Sequence, residues 1–87
     1  SLDLSQNEIG DTGVQAIAES PLFVNLRQLN LKSNQITDVG AEYLAGSETL
    51  ENLRSLQMVV NDLTEEGEKL LRNSPNLTNL TSLKFRV

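Results

Sequence analysis

One stretch of the chain, Leu29-Asn30-Leu31-Lys32-Ser33-Asn34-Gln35-Ile36, returns at a fixed interval. Its form, Leu-x-Leu-x-x-Asn-x-Ile, recurs upstream as Leu2-Asp3-Leu4-Ser5-Gln6-Asn7-Glu8-Ile9 and downstream as Leu56-Gln57-Met58-Val59-Val60-Asn61-Asp62-Leu63. A fourth copy opens at Leu83-Lys84-Phe85. The leading leucines Leu2, Leu29, Leu56 and Leu83 are 27 residues apart each time. A fixed period of this size marks an array of stacked units, each burying its apolar face against its neighbours. Units are expected over 2–28, 29–55 and 56–82, with the start of a fourth strand over 83–87.

Within each unit the pattern changes from strand to helix. Leu2 and Leu4 alternate with Asp3 and Ser5, the two-residue period of a half-buried strand. Asn7, Asn34 and Asn61 then hold one column. A strand that turns away leaves backbone groups unpaired, and an asparagine carries both a donor and an acceptor to satisfy them. The column therefore predicts a structural ladder. Helix starts follow at Gly10-Asp11-Thr12-Gly13, Thr37-Asp38-Val39-Gly40 and Thr64-Glu65-Glu66-Gly67. Thr37 and Thr64 suit N-caps, and Asp11, Asp38 and Glu65 suit the positive end of the helix dipole. Gly13, Gly40 and Gly67 are expected where neighbouring turns pack too closely for a side chain. The pairs Ala16-Ile17, Tyr43-Leu44 and Leu70-Leu71, with Val14 or Val39 a turn earlier, predict an inward face on helices of about eight to ten residues. Ser20-Pro21 and Ser74-Pro75 end two helices, because the residue before proline resists the helical conformation. Gly46 is expected to end the middle one as a C-terminal glycine. A second apolar pair, Phe23 and Leu26, Leu50 and Leu53, Leu77 and Leu80, closes each unit. Strand, helix and next parallel strand require a right-handed crossover.

The segments Leu26-x-x-Leu29-x-Leu31-x-x-Asn34-x-Ile36 and Leu53-x-x-Leu56-x-Met58-x-x-Asn61-x-Leu63 resemble the leucine-rich repeat. The helical halves resemble its ribonuclease-inhibitor-like class. Ile36-Thr37-Asp38-Val39-Gly40-Ala41-Glu42-Tyr43-Leu44-Ala45 and the tail Asn73 to Leu83 are similar to repeats of bacterial multi-repeat proteins. The resemblance implies an α/β solenoid, a right-handed superhelix with parallel strands on the concave face and helices on the convex face. It implies a protein–protein interaction scaffold with no catalytic activity of its own. The alternative it leaves open is a recognition or regulatory module beside a GTPase-activating, ubiquitin-ligase or kinase-associated domain. Neither end carries the polar cap that such arrays need, so a longer protein is expected. Val59 and Val60 depart from the polar residues expected on the strand face.

Composition removes several chemistries. There is no cysteine and no histidine, hence no disulfide, no thiolate and no imidazole base or ligand. No glycine-rich phosphate loop is present. Asp62, Glu65, Glu66 and Glu68 lack calcium-hand spacing, and a helix dipole accounts for them. No catalytic residue, metal site, cofactor or small-molecule substrate is expected. The two sequons Asn76-Leu77-Thr78 and Asn79-Leu80-Thr81 are read as accidents of an Asn- and Thr-rich repeat. The net charge of −5 argues against nucleic acid, and no apolar run reaches membrane-span length. Without leader or cysteine a cytoplasmic location is expected, although a secreted effector has the same features.

The outward strand positions carry five basic residues, Arg27, Lys32, Arg54, Lys84 and Arg86, against one acidic, Asp3. The strand face is thus basic on an acidic chain, which suits a protein partner with an acidic surface. The plain alternative is that solvated positions carry polar residues in any case. The residues chosen as candidate partner contacts are Arg27, Asn30, Lys32, Arg54, Gln57, Val59 and Lys84.

Overall fold

The computed structural model describes residues 1–86, so Val87, the last residue of the expected 83–87 segment, lies outside it. Among the described residues the chain alternates strands and helices. The order is β1 (Leu2–Asp3), α1 (Gly10–Glu19), a short 3-10 turn (Pro21–Phe23), β2 (Gln28–Asn30), α2 (Asp38–Ala45), β3 (Ser55–Gln57), α3 (Glu65–Arg72) and β4 (Ser82–Lys84). The strands form one parallel sheet in the order β1-β2-β3-β4. Leu2 pairs with Leu29, Leu29 with Leu56, and Leu56 with Leu83. The register of the sheet is therefore the 27-residue spacing of the sequence. This is an α/β repeat fold. The extents, 25 × 24 × 21 Å, leave the molecule as wide as it is long.

The core is a continuous cluster between sheet and helices. Leu31, Ile36, Leu44, Leu50 and Leu53 of the middle unit are fully buried, since units lie on both sides. Of their counterparts in the first unit, Leu4, Ile9, Phe23 and Leu26 are only partly buried, and Ile17 alone is buried. Each buried leucine contributes about 1.5–3 kcal/mol of burial free energy.

Polar side chains join the units at three places. After the strands, Asn34 is completely buried. Its Oδ1 accepts the Asn7 N–H at 2.9 Å and the Ile9 N–H at 3.2 Å from the preceding unit. Its Nδ2 donates to the carbonyls of Leu4, 2.8 Å, and Lys32, 3.2 Å. Asn61 repeats the arrangement with Asn34, Ile36, Leu31 and Met58. The expected ladder is therefore present, and it makes the turn of one unit complete the turn before it.

At the helix starts the hydroxyls of Thr37 and Thr64 accept the N–H groups of Val39 and Glu66, as N-caps do. The aspartates do more than meet their own helix dipole. Asp11 accepts the Thr37 N–H at 2.8 Å, the Thr37 hydroxyl at 2.5 Å and the Gly40 N–H at 3.0 Å. Asp38 does the same for the N–H and hydroxyl of Thr64. Each aspartate thus caps the helix of the following unit. A Cβ on Gly40 would lie 2.5 Å from both Asp11 Oδ1 and Ile36 Cγ2, and one on Gly67 would meet Asp38 and Leu63. The space at Gly40 and Gly67 is taken by the preceding unit's aspartate together with the unit's own Ile36 or Leu63, and at Gly13 by Ile9.

At the helix ends a third column appears that the sequence analysis left unread. Ser47 Oγ donates to the Ala18 carbonyl at 2.6 Å and Ser74 Oγ to the Ala45 carbonyl at 2.5 Å. Asn52 and Asn79 likewise reach back to the Val24 and Glu51 carbonyls. The 27-residue spacing of Ser20, Ser47 and Ser74, and of Asn25, Asn52 and Asn79, was the available signal.

Several expectations are corrected. Ala16 and Leu70 are exposed and Tyr43 is half-buried, while Ile17, Leu44 and Leu71 are inside. Adjacent helical residues differ by about 100°, so only one of each pair faces the sheet. Val39 is exposed for the same reason, because the buried counterpart of Val14 is Ala41. Gly46 ends α2 with φ −92°, outside the left-handed region, and a Cβ there would meet the Glu42 carbonyl at an ordinary 3.4 Å. Glycine is not required at that position.

Candidate interaction face

The strands are only two or three residues long, about 10 Å at most. Leu29 and Leu56 point into the core, so their neighbours Gln28, Asn30, Ser55 and Gln57 face outward. The register aligns Asp3 with Asn30, Asn30 with Gln57, and Gln57 with Lys84. Three of the candidate contacts, Asn30, Gln57 and Lys84, therefore form one row across β2, β3 and β4, about 4.8 Å apart. Arg27 and Arg54 lie immediately before β2 and β3, where the carbonyl of Arg27 accepts the N–H groups of Arg54 and Ser55. Both arginine side chains are exposed, as are Lys32, just beyond β2, and Lys84. A shallow groove of about 370 Å³ lies over β1 to β3 and is lined by Asp3, Gln28, Asn30, Ser55 and Gln57 among others.

Val59 does not belong to this face. It is 5% exposed, whereas Val60 is 59% exposed. Val59 lies two residues past the end of β3, as Lys32 lies past the end of β2, and in that shared column the lysine is exposed and the valine covered. Val60 has φ +60°, in the left-handed region that a β-branched residue rarely adopts. Gln6 and Ser33, its counterparts, have φ +62° and +59°. The turn geometry is common to all units, and only the third places a valine in it.

Arg86 also leaves the strand face. Its guanidinium makes a two-pronged ion pair with Glu68, at 3.1 and 2.6 Å. Glu68 is nearly buried in the column occupied by Val14 and Ala41, so it is not part of a surface acidic cluster. Arg72 lies over the Phe85 ring at 5.2 Å, beside this pair. The exposed basic residues at or next to the strands are thus Arg27, Lys32, Arg54 and Lys84, of which Lys84 lies within a strand.

The side-chain oxygens of the row are engaged locally. Asp3 Oδ1 accepts the Ser5 N–H at 2.9 Å, Asn30 Oδ1 the Lys32 N–H at 3.0 Å, and Gln57 Oε1 the Val59 N–H at 3.1 Å. Hydrogen bonds from Ser5, side chain and backbone, hold the Asp3 carboxyl below the ordinary aspartate range. Bonds from Thr64 do the same for Asp38. Among the described residues, no group of three or more His, Cys, Asp or Glu side chains is placed to hold a metal ion. No helix among them is long and apolar enough to cross a membrane.

Parallel strands in 27-residue register, an asparagine ladder and helices on the opposite side define a repeat protein of the β-α type. The leucine-rich repeat family model matches residues 1–18 and 24–45, which span β1 and most of α1, then β2 and α2. Over those residues the chain is similar to the leucine-rich repeat, and the same register continues through β3 and β4. No curated protein and no solved structure matched in the corresponding comparisons.

Proposed function

We propose that this chain is an interaction module, part of a right-handed leucine-rich-repeat superhelix, whose strand face binds an acidic surface of a protein partner. Leucine-rich repeats generally mediate protein–protein contact, and this chain offers a polar, cation-bearing sheet face for it. The residues assigned to contact are Arg27, Asn30, Lys32, Arg54, Gln57 and Lys84. The observation that carries this reading is the row Asn30-Gln57-Lys84 with exposed cations on both sides of it. Exposed charges set association rate and partner choice more than raw affinity, so the interface is salt-sensitive. A usual footprint is about 800 Å² per partner. A sheet of four short strands is smaller than that, so contact extends beyond it onto flanking loops or further units.

The test is affinity capture from the source cell with the full-length protein, beside a Lys32→Glu/Arg54→Glu variant, with cross-links mapped by mass spectrometry. Cross-links from Lys32 and Lys84 to carboxylates of one partner, and at least about tenfold weaker capture by the variant, are expected. Equal capture of the same partner by both proteins would falsify the strand face as the binding site.

A further inference from the structure

The hydrogen bonds within the row determine what the face can recognise. A backbone N–H can only be met by the oxygen of an amide side chain, never by its NH₂ group. The Lys32 N–H on Asn30 Oδ1 and the Val59 N–H on Gln57 Oε1 therefore set both amides in one orientation. Their oxygens face the chain, and Asn30 Nδ2 and Gln57 Nε2 are left to face a ligand. Lys84 continues the row with an ammonium group, which has donors and no acceptor. The flanking side chains Arg27, Lys32 and Arg54 are donors as well. From β2 to β4 the groups this row turns away from the chain are donors, while Gln28 and Ser55, which can also accept, form the next row along the strands. At β1 the same position holds Asp3, an acceptor, and there the track stops.

We propose that Asn30, Gln57 and Lys84 form a donor-only track that reads the carboxylates of an acidic α-helix on the partner. This deepens the strand-face reading above and rests on it. Charge complementarity selects the acid, and spacing selects the helix. Successive positions of the track are about 4.8 Å apart. Side chains three or four residues apart on a helix are about 5–6 Å apart, whereas same-face side chains of an extended strand are about 6.8 Å apart. Three donors therefore match acidic residues at i, i+4 and i+7 of one helix, while an extended peptide falls out of step by the third. Asp3 repels a fourth carboxylate and holds the acidic stretch over β2 to β4. The amides add fixed points to the track, because a hydrogen bond to the chain holds each one in place where the lysine stem is flexible.

The decisive variants are Asn30→Asp and Gln57→Glu. Each keeps the oxygen that accepts the local N–H and replaces the outward NH₂ by a second oxygen. The first unit already holds an aspartate in this arrangement, so the fold accommodates it. The probe is an alanine-based helical peptide with Glu at i, i+4 and i+7, beside versions carrying Gln or Lys at those places and an oligothymidine. The expected result is movement of the Asn30 and Gln57 side-chain NH₂ signals in the NMR spectrum of the full protein on adding the Glu peptide. Each variant is expected to weaken its binding about tenfold with an unchanged unfolding midpoint, and the Lys peptide is expected not to bind the parent. If Lys32→Glu/Arg54→Glu weakens binding while Asn30→Asp and Gln57→Glu do not, the track is wrong and the strand face stands. If the peptide moves only signals of the helical side, both are wrong. Tighter binding of oligothymidine than of the Glu peptide would overturn the assignment to a protein carboxylate.

Discussion

The second and third units trace the same path with different side chains at matching positions: Lys32 against Val59, Ser33 against Val60, Ala41 against Glu68. Their strands pair in register, and both keep the asparagine, the capping threonine and the helix-end serine. The shared residues all bond to the backbone of the preceding unit or cap their own helix. The residues that differ include solvent and turn positions, the covered Val59 against the exposed Lys32, the apolar exchange of Leu31 for Met58, and one core position where a carboxylate is matched by Arg86. Stacking therefore depends on a few directional polar groups as much as on leucine. A hydrophobic contact tolerates a slide along the array, whereas an amide that must meet two N–H groups and two carbonyls does not.

The largest test of this contrast is Asn34→Ala against Asn7→Ala. Asn34 is buried and bonds to two N–H groups and two carbonyls, and its loss leaves buried groups of two units unpaired. A loss on the order of 3 kcal/mol or more is expected. The Asn7 side chain bonds to the carbonyls of Leu4 and Ser5 in its own exposed turn, and about 1 kcal/mol or less is expected there. Urea unfolding of both variants measures the difference. Equal shifts would mean that leucine packing alone holds the units.

A smaller effect, of opposite sign, is expected where the third unit departs from the second. Val60 holds a left-handed conformation that costs a β-branched residue about 1–2 kcal/mol. Val60→Asn relieves it and exposes less apolar surface, so a gain of about 1 kcal/mol is expected in the same assay. Ser33→Asn, with less strain to relieve, gains less. A destabilised Val60→Asn protein would show that the valine makes contacts worth more than its strain.

The smallest effect is on pH. The Asp38 carboxyl is held below its ordinary value of 3.8 by hydrogen bonds from Thr64 in the next unit. A group depressed in the folded state stabilises above its unfolded pKa and loses that contribution as pH falls through the folded one. The junction between units two and three therefore weakens below about pH 4. Asp38→Asn should flatten the acid limb of the stability curve, measured as unfolding midpoint against pH. An acid limb identical in both proteins would assign acid sensitivity to other carboxylates.

Much of this architecture was legible from spacing. Leu29, Asn34, Thr37 and Gly40 each do what their residue types imply, because backbone pairing, capping and close approach have few chemical solutions. One candidate contact, Val59, is covered, and Arg86, counted as an outward position but not chosen as a contact, is held by an ion pair. Both sit two residues past the end of a strand, as the exposed Lys32 does, and alternation fixes a side chain's direction only within the strand. Beyond it, the turn and an ion pair across 18 residues decide where a side chain goes.

By itself the order of residues determined the 27-residue unit, the parallel register and the identity of the polar ladder, since each is a local or strictly periodic consequence of residue type. Only the tertiary structure decided which of two adjacent helical residues is buried, that Asp11 and Asp38 serve the following helix, and that the amides of Asn30 and Gln57 turn their donors outward. The first two depend on where a neighbouring unit places its groups, a distance not written in any one stretch of the chain, and the third on a turn that brings the N–H two residues further on back to the amide oxygen.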